Sequence, residues 1–205
     1  ADGMGGHEAG EVASAVAIEA LRAGVAGGSL ITEAVIQANT AVLEKADANP
    51  AMRGMGTTLT AAIEVEGGLR IGHVGDSRAY VLRAGILARV TDDHSLVEEL
   101  VRAGQITLEQ AAVHPQRSVI TRALGIERNI EVDDISLELT DGDRVLICSD
   151  GLSGMVRETE ISAIMRRETD TNATAQALIA AANAGGGEDN ITVVVIDVIG
   201  EDGDP

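Results

Sequence analysis

Ala1-Asp2-Gly3-Met4-Gly5-Gly6-His7-Glu8-Ala9-Gly10-Glu11 opens the chain and sets one carboxylate, Asp2, in a backbone of small residues. Glycines at 3, 5, 6 and 10 allow positive φ and let main-chain carbonyls approach a ligand that larger side chains would block. From residue 11 to about 23 the apolar residues Val12, Ala15, Val16, Ile18 and Leu21 recur at helical spacing, so Asp2 is expected at the end of a strand that turns tightly into a helix. Taken alone, Asp-Gly-x-Gly-Gly is usually an ordinary turn.

The rest of the chain narrows the choice. Its 205 residues suit a single domain with a sizeable core. Trp and Phe are absent and Tyr80 is the one aromatic, so the core is expected from Val, Ile, Leu, Ala and Met. No platform exists for stacking bases. Fifteen Lys and Arg against 33 Asp and Glu give a net charge of −18, which repels nucleic acid and anionic membrane and attracts divalent cations. The single cysteine, Cys148, makes no internal disulfide. No apolar run is long enough to span a bilayer, so a cytoplasmic setting is expected, with a membrane tether outside the chain left open.

Past the first helix, a second is expected from Ser29 or Thr32 as cap to about Lys45, ending at Asn49-Pro50. Strand periodicity follows at 57–66, 69–74, 77–83 and 86–91, read as an antiparallel meander. Ser95-x-x-Glu98 and Thr107-x-x-Gln110 read as capping boxes, each opening a short helix of a flap at about 94–125. Strands are expected at 130–139, 144–148 and 191–198, and helices at 158–167 and 173–184. The domain is placed at 1–199, with 200–205 as tail or linker.

Asp2, Asp150 and Asp189 each stand where an apolar strand meets a Gly-containing turn, and such junctions are expected along one sheet edge. Carboxylates gathered there repel unless a cation sits among them. Hard oxygen donors suit Mg²⁺ or Mn²⁺. Zinc fits poorly, because His7, His73, His94 and His114 lack paired ligand spacing. No Gly-x-Ser-x-Gly elbow marks a serine hydrolase. Three unrelated surface turns remain the other reading of the pattern.

Six motifs in order carry a resemblance: Asp-Gly-Met-Gly-Gly (2–6), Gly-Thr-Thr (56–58), Gly-Asp-Ser-Arg (75–78), Asp-Asp-His-Ser (92–95), Cys-Ser-Asp-Gly (148–151) and Glu-Asp-Asn-Ile-Thr-Val (188–193). Together they resemble the metal-dependent serine/threonine protein phosphatases of type 2C, in their bacterial form, over nearly the whole chain. The resemblance implies an α+β fold of two stacked antiparallel β-sheets flanked by helical layers. It implies hydrolysis of phosphoserine and phosphothreonine in proteins by a water or hydroxide shared between two Mn²⁺ or Mg²⁺ ions, opposing a bacterial Ser/Thr kinase. In this pattern Asp2 bridges the ions, the Gly3 carbonyl binds one, Asp150 and Asp189 hold the other, and Asp93 with Asp150 takes a third. Asn190 supports Asp189, and His7 is the candidate general acid, although part of the family places its His where Met4 stands.

Arg78, Asp76 and His73 are expected to be structural, and His94 to orient its loop. Family members carry strands and a phosphate-gripping Arg before the Asp-Gly motif, which this sequence does not contain; weak phosphate binding is expected if the natural chain begins at Ala1, and full activity if it begins earlier. A non-catalytic binding domain of the same fold, or a phosphatase acting on a sigma-factor regulator, are the other functions compatible with the sequence.

Overall fold

The structure, a computed structural model, describes residues 1–200, with His7 described in its backbone alone. From 201 on, the expected tail lies outside the described residues. The elements run β1 (Gly3–Met4), α1 (His7–Ala26), α2 (Ile31–Ala48), a 3-10 turn (Pro50–Met52), β2 (Gly56–Thr57), β3 (Leu59–Val65), β4 (Gly68–Val74), β5 (Arg78–Arg83) and β6 (Ile86–Arg89). They continue as α3 (Leu96–Arg102), α4 (Leu108–Ala112), β7 (Asp133–Glu138), β8 (Arg144–Cys148), α5 (Asp150–Ser153), α6 (Glu158–Arg167), α7 (Thr171–Ala184) and β9 (Val193–Asp197). The class is α+β, as expected.

The strands form a β1-β2 pair, a β3-β4-β7 sheet and a β6-β5-β8-β9 sheet, the last antiparallel throughout. The expected meander is therefore divided. Its first two strands join one sheet and its last two another, and the break falls at Gly75, where φ is +112° and a Cβ would lie 2.6 Å from the Thr58 side chain. Asp2 precedes the β1-β2 pair, whereas Asp150 and Asp189 flank strands of the four-stranded sheet, so the expectation of a single sheet edge fails. Periodicity reports which face a residue occupies and not which sheet its strand joins.

Helix ends follow local chemistry. Neither Ser29 nor Thr32 caps α2. Leu30 is its N-cap and donates its N–H to Glu33 Oε2 at 3.1 Å, while the Ser29 hydroxyl accepts from Gln37. Ser95 and Thr107 do cap α3 and α4, accepting from the Glu98 and Gln110 N–H groups. Helix α1 starts four residues earlier than the periodicity suggests, because its first turn follows the backbone of Gly5 and Gly6 rather than an apolar stripe.

Two compact units can be described separately: Ala1–Ile63 with Arg70–Asp76 and Asp92–Ile135, and Glu64–Leu69 with Ser77–Thr91 and the chain from Ser136 on. In the first, Ala9, Ala13 and Ala17 of α1 meet Val35, Ala38, Val42 and Ala46 of α2, with Met55, Leu59, Val74 and Leu124 completing a cluster. Small side chains at i, i+4 and i+8 line the contact between the two helices, so a core without Phe or Trp is filled by close helix approach.

In the second unit, Tyr80 and Leu82 of β5 and Leu146 and Cys148 of β8 share a sheet face and pack on α5, α6 and α7 through Leu152, Ile161, Met165 and Leu178. Each fully buried aliphatic side chain contributes about 1.5–3 kcal/mol of transfer free energy.

Arg144 ties that unit together. It is buried and donates to Asp197 at 2.5 and 2.7 Å, to the Met165, Glu168 and Thr169 carbonyls and to the Thr174 hydroxyl. Replacing Arg144 with Met leaves these acceptors unpaired. A loss of about 3–5 kcal/mol in urea unfolding is expected. Asp143, beside it, is held below the ordinary carboxylate range chiefly by the hydrogen bond from Arg83. A carboxyl depressed in the folded state stabilises fully above its unfolded pKa and stops doing so as pH falls through the folded value. Stability is therefore expected to drop below about pH 3.8 in the natural chain, and less steeply in Asp143→Asn, in melting curves taken across that range.

Candidate metal centre

In the first unit, Asp2 is placed by its main chain. Its N–H donates to Thr58 Oγ1 at 3.0 Å, and its carbonyl accepts from the Thr58 N–H at 2.9 Å, with the Thr57 hydroxyl 2.9 Å from the same oxygen. Gly3 pairs with Thr57 in the β1-β2 ladder. The Gly-Thr-Thr motif at 56–58 is therefore a clamp on Asp2, a role that the sequence left unassigned. Gly3 also touches α1, since a Cβ on it would lie 1.9 Å from the Gly10 carbonyl oxygen. The two glycines press strand against helix, and the exposed Gly3 stays beside the clamped Asp2. His7 opens α1, and its side chain lies outside the described residues.

Asp93 lies 5% exposed on a loop held by two histidines whose rings are in contact, tilted by 38° with centroids 4.8 Å apart. His73 donates from Nε2 to the Asp92 carbonyl at 2.9 Å, so its Nδ1, 2.8 Å from Thr60 Oγ1, accepts from that hydroxyl. Burial first, and His94 second, lower the His73 pKa to about 4, which keeps the ring neutral. His94 Nδ1 accepts the Gly75 N–H at 3.1 Å, which puts the proton on Nε2, 3.2 Å from Asp133 Oδ2. Burial, then Arg122, lowers its pKa as well. Arg122 donates to Asp133 and Arg102 to the Asp93 carbonyl. The expectations that His73 is structural and that His94 orients its loop agree with these bonds. Arg122, Arg102 and Asp133 had no recognisable sequence signal.

In the second unit, Asp150 follows β8 and opens α5, a helix too short for periodicity to reveal. Its Oδ1 is buried and has no hydrogen-bond partner among the described residues. A carboxylate oxygen so placed loses its hydration without replacement, a cost relieved by a cation. Asp189 is exposed, and its Oδ1 accepts the N–H of Asn190 at 2.7 Å. The two segments touch through main chains. The Ser149 hydroxyl donates to the Asn190 carbonyl and accepts the Thr192 N–H, both at 3.1 Å, and a Cβ on Gly151 would lie 2.2 Å from the Asn190 oxygen. Arg78 stands 4.0 Å from Glu158 and donates to the Tyr80 hydroxyl, which is the internal role expected of it.

Among the described residues no group of three or more His, Cys, Asp or Glu side chains forms a metal cage. Within the second unit the donors fit a hard divalent cation that keeps several waters: an unbonded carboxylate oxygen at Asp150 and an exposed carboxylate at Asp189. Gly151→Ala forces the Asp150 and Asp189 segments apart. It is expected to cost about 1–3 kcal/mol in urea unfolding and to speed amide exchange at 149–153 and 189–192.

The Protein phosphatase 2C family model matches residues 1–183. A serine/threonine phosphatase, stp, of Listeria monocytogenes is 41% identical over 207 residues, covering 96% of this chain and 82% of the relative. The crystal structure of the Mycobacterium tuberculosis serine/threonine phosphatase PstP superposes with a TM-score of 0.90 at 42% identity, covering 97% of this chain and 86% of that one. The catalytic domain of PstP crystallised in complex with two manganese ions superposes at 0.87 with 41% identity, covering 97% and 85%. With a family model matched over most of its length and a relative of this identity, the chain belongs to the protein phosphatase 2C family.

Proposed function

We propose that this chain is a Mn²⁺- or Mg²⁺-dependent phosphatase that removes phosphate from phosphoserine and phosphothreonine in proteins. The observation that carries the reading is Asp150 Oδ1, a buried carboxylate oxygen without a partner among the described residues, in a chain of this family. The ligands we assign are Asp2, the Gly3 carbonyl, Asp150 and Asp189 for two ions, with Asp93 for a third. When bound, such ions supply activation of water and neutralise charge on the phosphoryl oxygens.

The chain's own groups do the rest. Thr57 and Thr58 fix the Asp2 main chain, Ser149 and Asn190 hold the Asp150 and Asp189 segments in register, and the tilted His73–His94 pair holds the loop of Asp93. We assign His7 as the acid that returns a proton to the departing Ser or Thr oxygen, a role that imidazole side chains commonly fill. The substrates proposed are phosphoproteins made by a cognate Ser/Thr kinase, in the cytoplasm. Among the described residues no helix is long and apolar enough to cross a membrane.

Phosphate release from a phosphothreonine peptide, with Mn²⁺ and then with excess chelator, tests the reading. Chelator is expected to stop turnover. Asp150→Asn removes a buried charge, so the metal-free variant is expected to melt at or above the natural temperature while losing turnover by about a hundredfold or more and losing the Mn²⁺-induced rise in melting temperature. Undiminished turnover in Asp150→Asn overturns the assignment.

A further inference from the structure

One buried polar side chain in the first unit has no part in the site described so far. Asn39 is fully buried on α2, within the apolar stripe of Val35, Ala38, Val42 and Ala46. An amide there loses its hydration and must find partners. All its recorded partners belong to one turn. Its Oδ1 accepts the Gly125 N–H at 2.8 Å, and its Nδ2 donates to the Glu127 carbonyl at 2.8 Å and stands 3.4 Å from the Arg128 carbonyl. At Gly125, φ is +85° and a Cβ would lie 2.4 Å from Val42 Cγ1 and 2.8 Å from the Met55 carbonyl, so the turn is seated tightly on α2.

The residue before that turn, Leu124, is fully buried and exchanges two main-chain hydrogen bonds with Thr57, at 2.9 and 3.0 Å. Thr57 pairs in turn with Gly3, and Thr57 and Thr58 clamp Asp2. An unbroken series of hydrogen bonds and short covalent steps thus runs from the Asn39 amide through Gly125, Leu124 and Thr57 to Asp2. Thr57 lies between Gly3 and Leu124, so β1 has its place only where the 124–128 segment has its own.

We propose that Asn39 is a positioning residue for Asp2, setting through the 124–128 turn and Thr57 the height at which the Asp2 carboxylate and the Gly3 carbonyl meet a divalent cation. This rests on the reading of Asp2 as a metal ligand. A residue that supports a ligand from behind characteristically changes metal affinity about tenfold or more when removed. An asparagine that merely satisfies a turn changes stability alone.

The test uses the whole chain as Asn39→Ala and, because truncation can prevent folding, as Asn39→Asp, which keeps the shape and the acceptor for Gly125 but loses the donor. Val35→Ala, a core truncation on the same helix outside the series, is the control. In the metal-free protein, amide exchange at 1–6 and 56–58 is expected to rise several-fold in the Asn39 variants beyond any rise in the control. Calorimetric titration is expected to show Mn²⁺ bound about tenfold more weakly by the Asn39 variants, with the control unchanged. Exchange no faster than in Val35→Ala overturns the proposal, as does faster exchange with unaltered Mn²⁺ affinity. Absence of Mn²⁺ binding by the natural chain overturns the metal reading itself. The exchange experiment needs no metal, so the two failures are told apart.

Discussion

Contact between main chains, made possible by missing side chains, is the constraint on which this structure depends. Gly3 lies against Gly10 and Gly151 against Asn190, at separations that leave no space for a Cβ. Each contact sits beside a carboxylate assigned to metal: Asp2 precedes Gly3, Asp150 precedes Gly151, and Asp189 precedes Asn190. A carboxylate carried on backbone held by backbone has few ways to move, which is the condition for a site that binds an ion with few protein ligands. The same economy runs through the alanine-lined contact of α1 with α2, where small residues replace the aromatic filling that this chain lacks.

Electrostatics divides the acidic residues into two groups. Asp133, Asp134, Asp143 and Asp197 each pair with an arginine, Arg122, Arg70, Arg83 and Arg144 respectively, and serve the fold. Among the described residues, Asp150 and Asp189 form no ion pair with an arginine, and Asp150 buries an oxygen that no described group donates to. A folded chain tolerates such a group when a ligand compensates it, which is why the buried Asp150 oxygen carries the metal assignment we propose while the arginine-paired carboxylates serve the fold. Net charge alone, −18 over the chain, makes no such distinction.

Much of the fold was legible because its signals are local. The strand Arg144–Cys148 and the helix Glu158–Arg167 have the bounds that their apolar runs suggest, and the caps at Ser95 and Thr107 depend on a residue three positions away. Helix α5 was missed, since four residues carry no period. The α2 cap was misplaced because the N-cap is Leu30, whose side chain cannot accept a hydrogen bond; only its own N–H is satisfied, by Glu33 reaching back from the first turn. The meander was divided because a strand's partner is chosen by contacts distant in sequence, here at Gly75 against Thr58.

For the site, the sequence by itself determined the candidate chemistry: hard oxygen donors beside glycine turns, no Gly-x-Ser-x-Gly elbow, and six ordered motifs pointing to one family. It also supplied the candidates Asp2, Gly3, Asp93, Asp150 and Asp189, since residue type fixes what an atom can donate or accept. Tertiary structure alone decided which groups stand behind them. Thr58 lies 56 positions from Asp2, Asn190 is 41 from Ser149, and Gly125 is 86 from Asn39, separations over which no periodicity carries information. Those pairings exist because buried main-chain and amide groups must find hydrogen-bond partners once water is excluded, and which partner is available is settled only when the chain has packed.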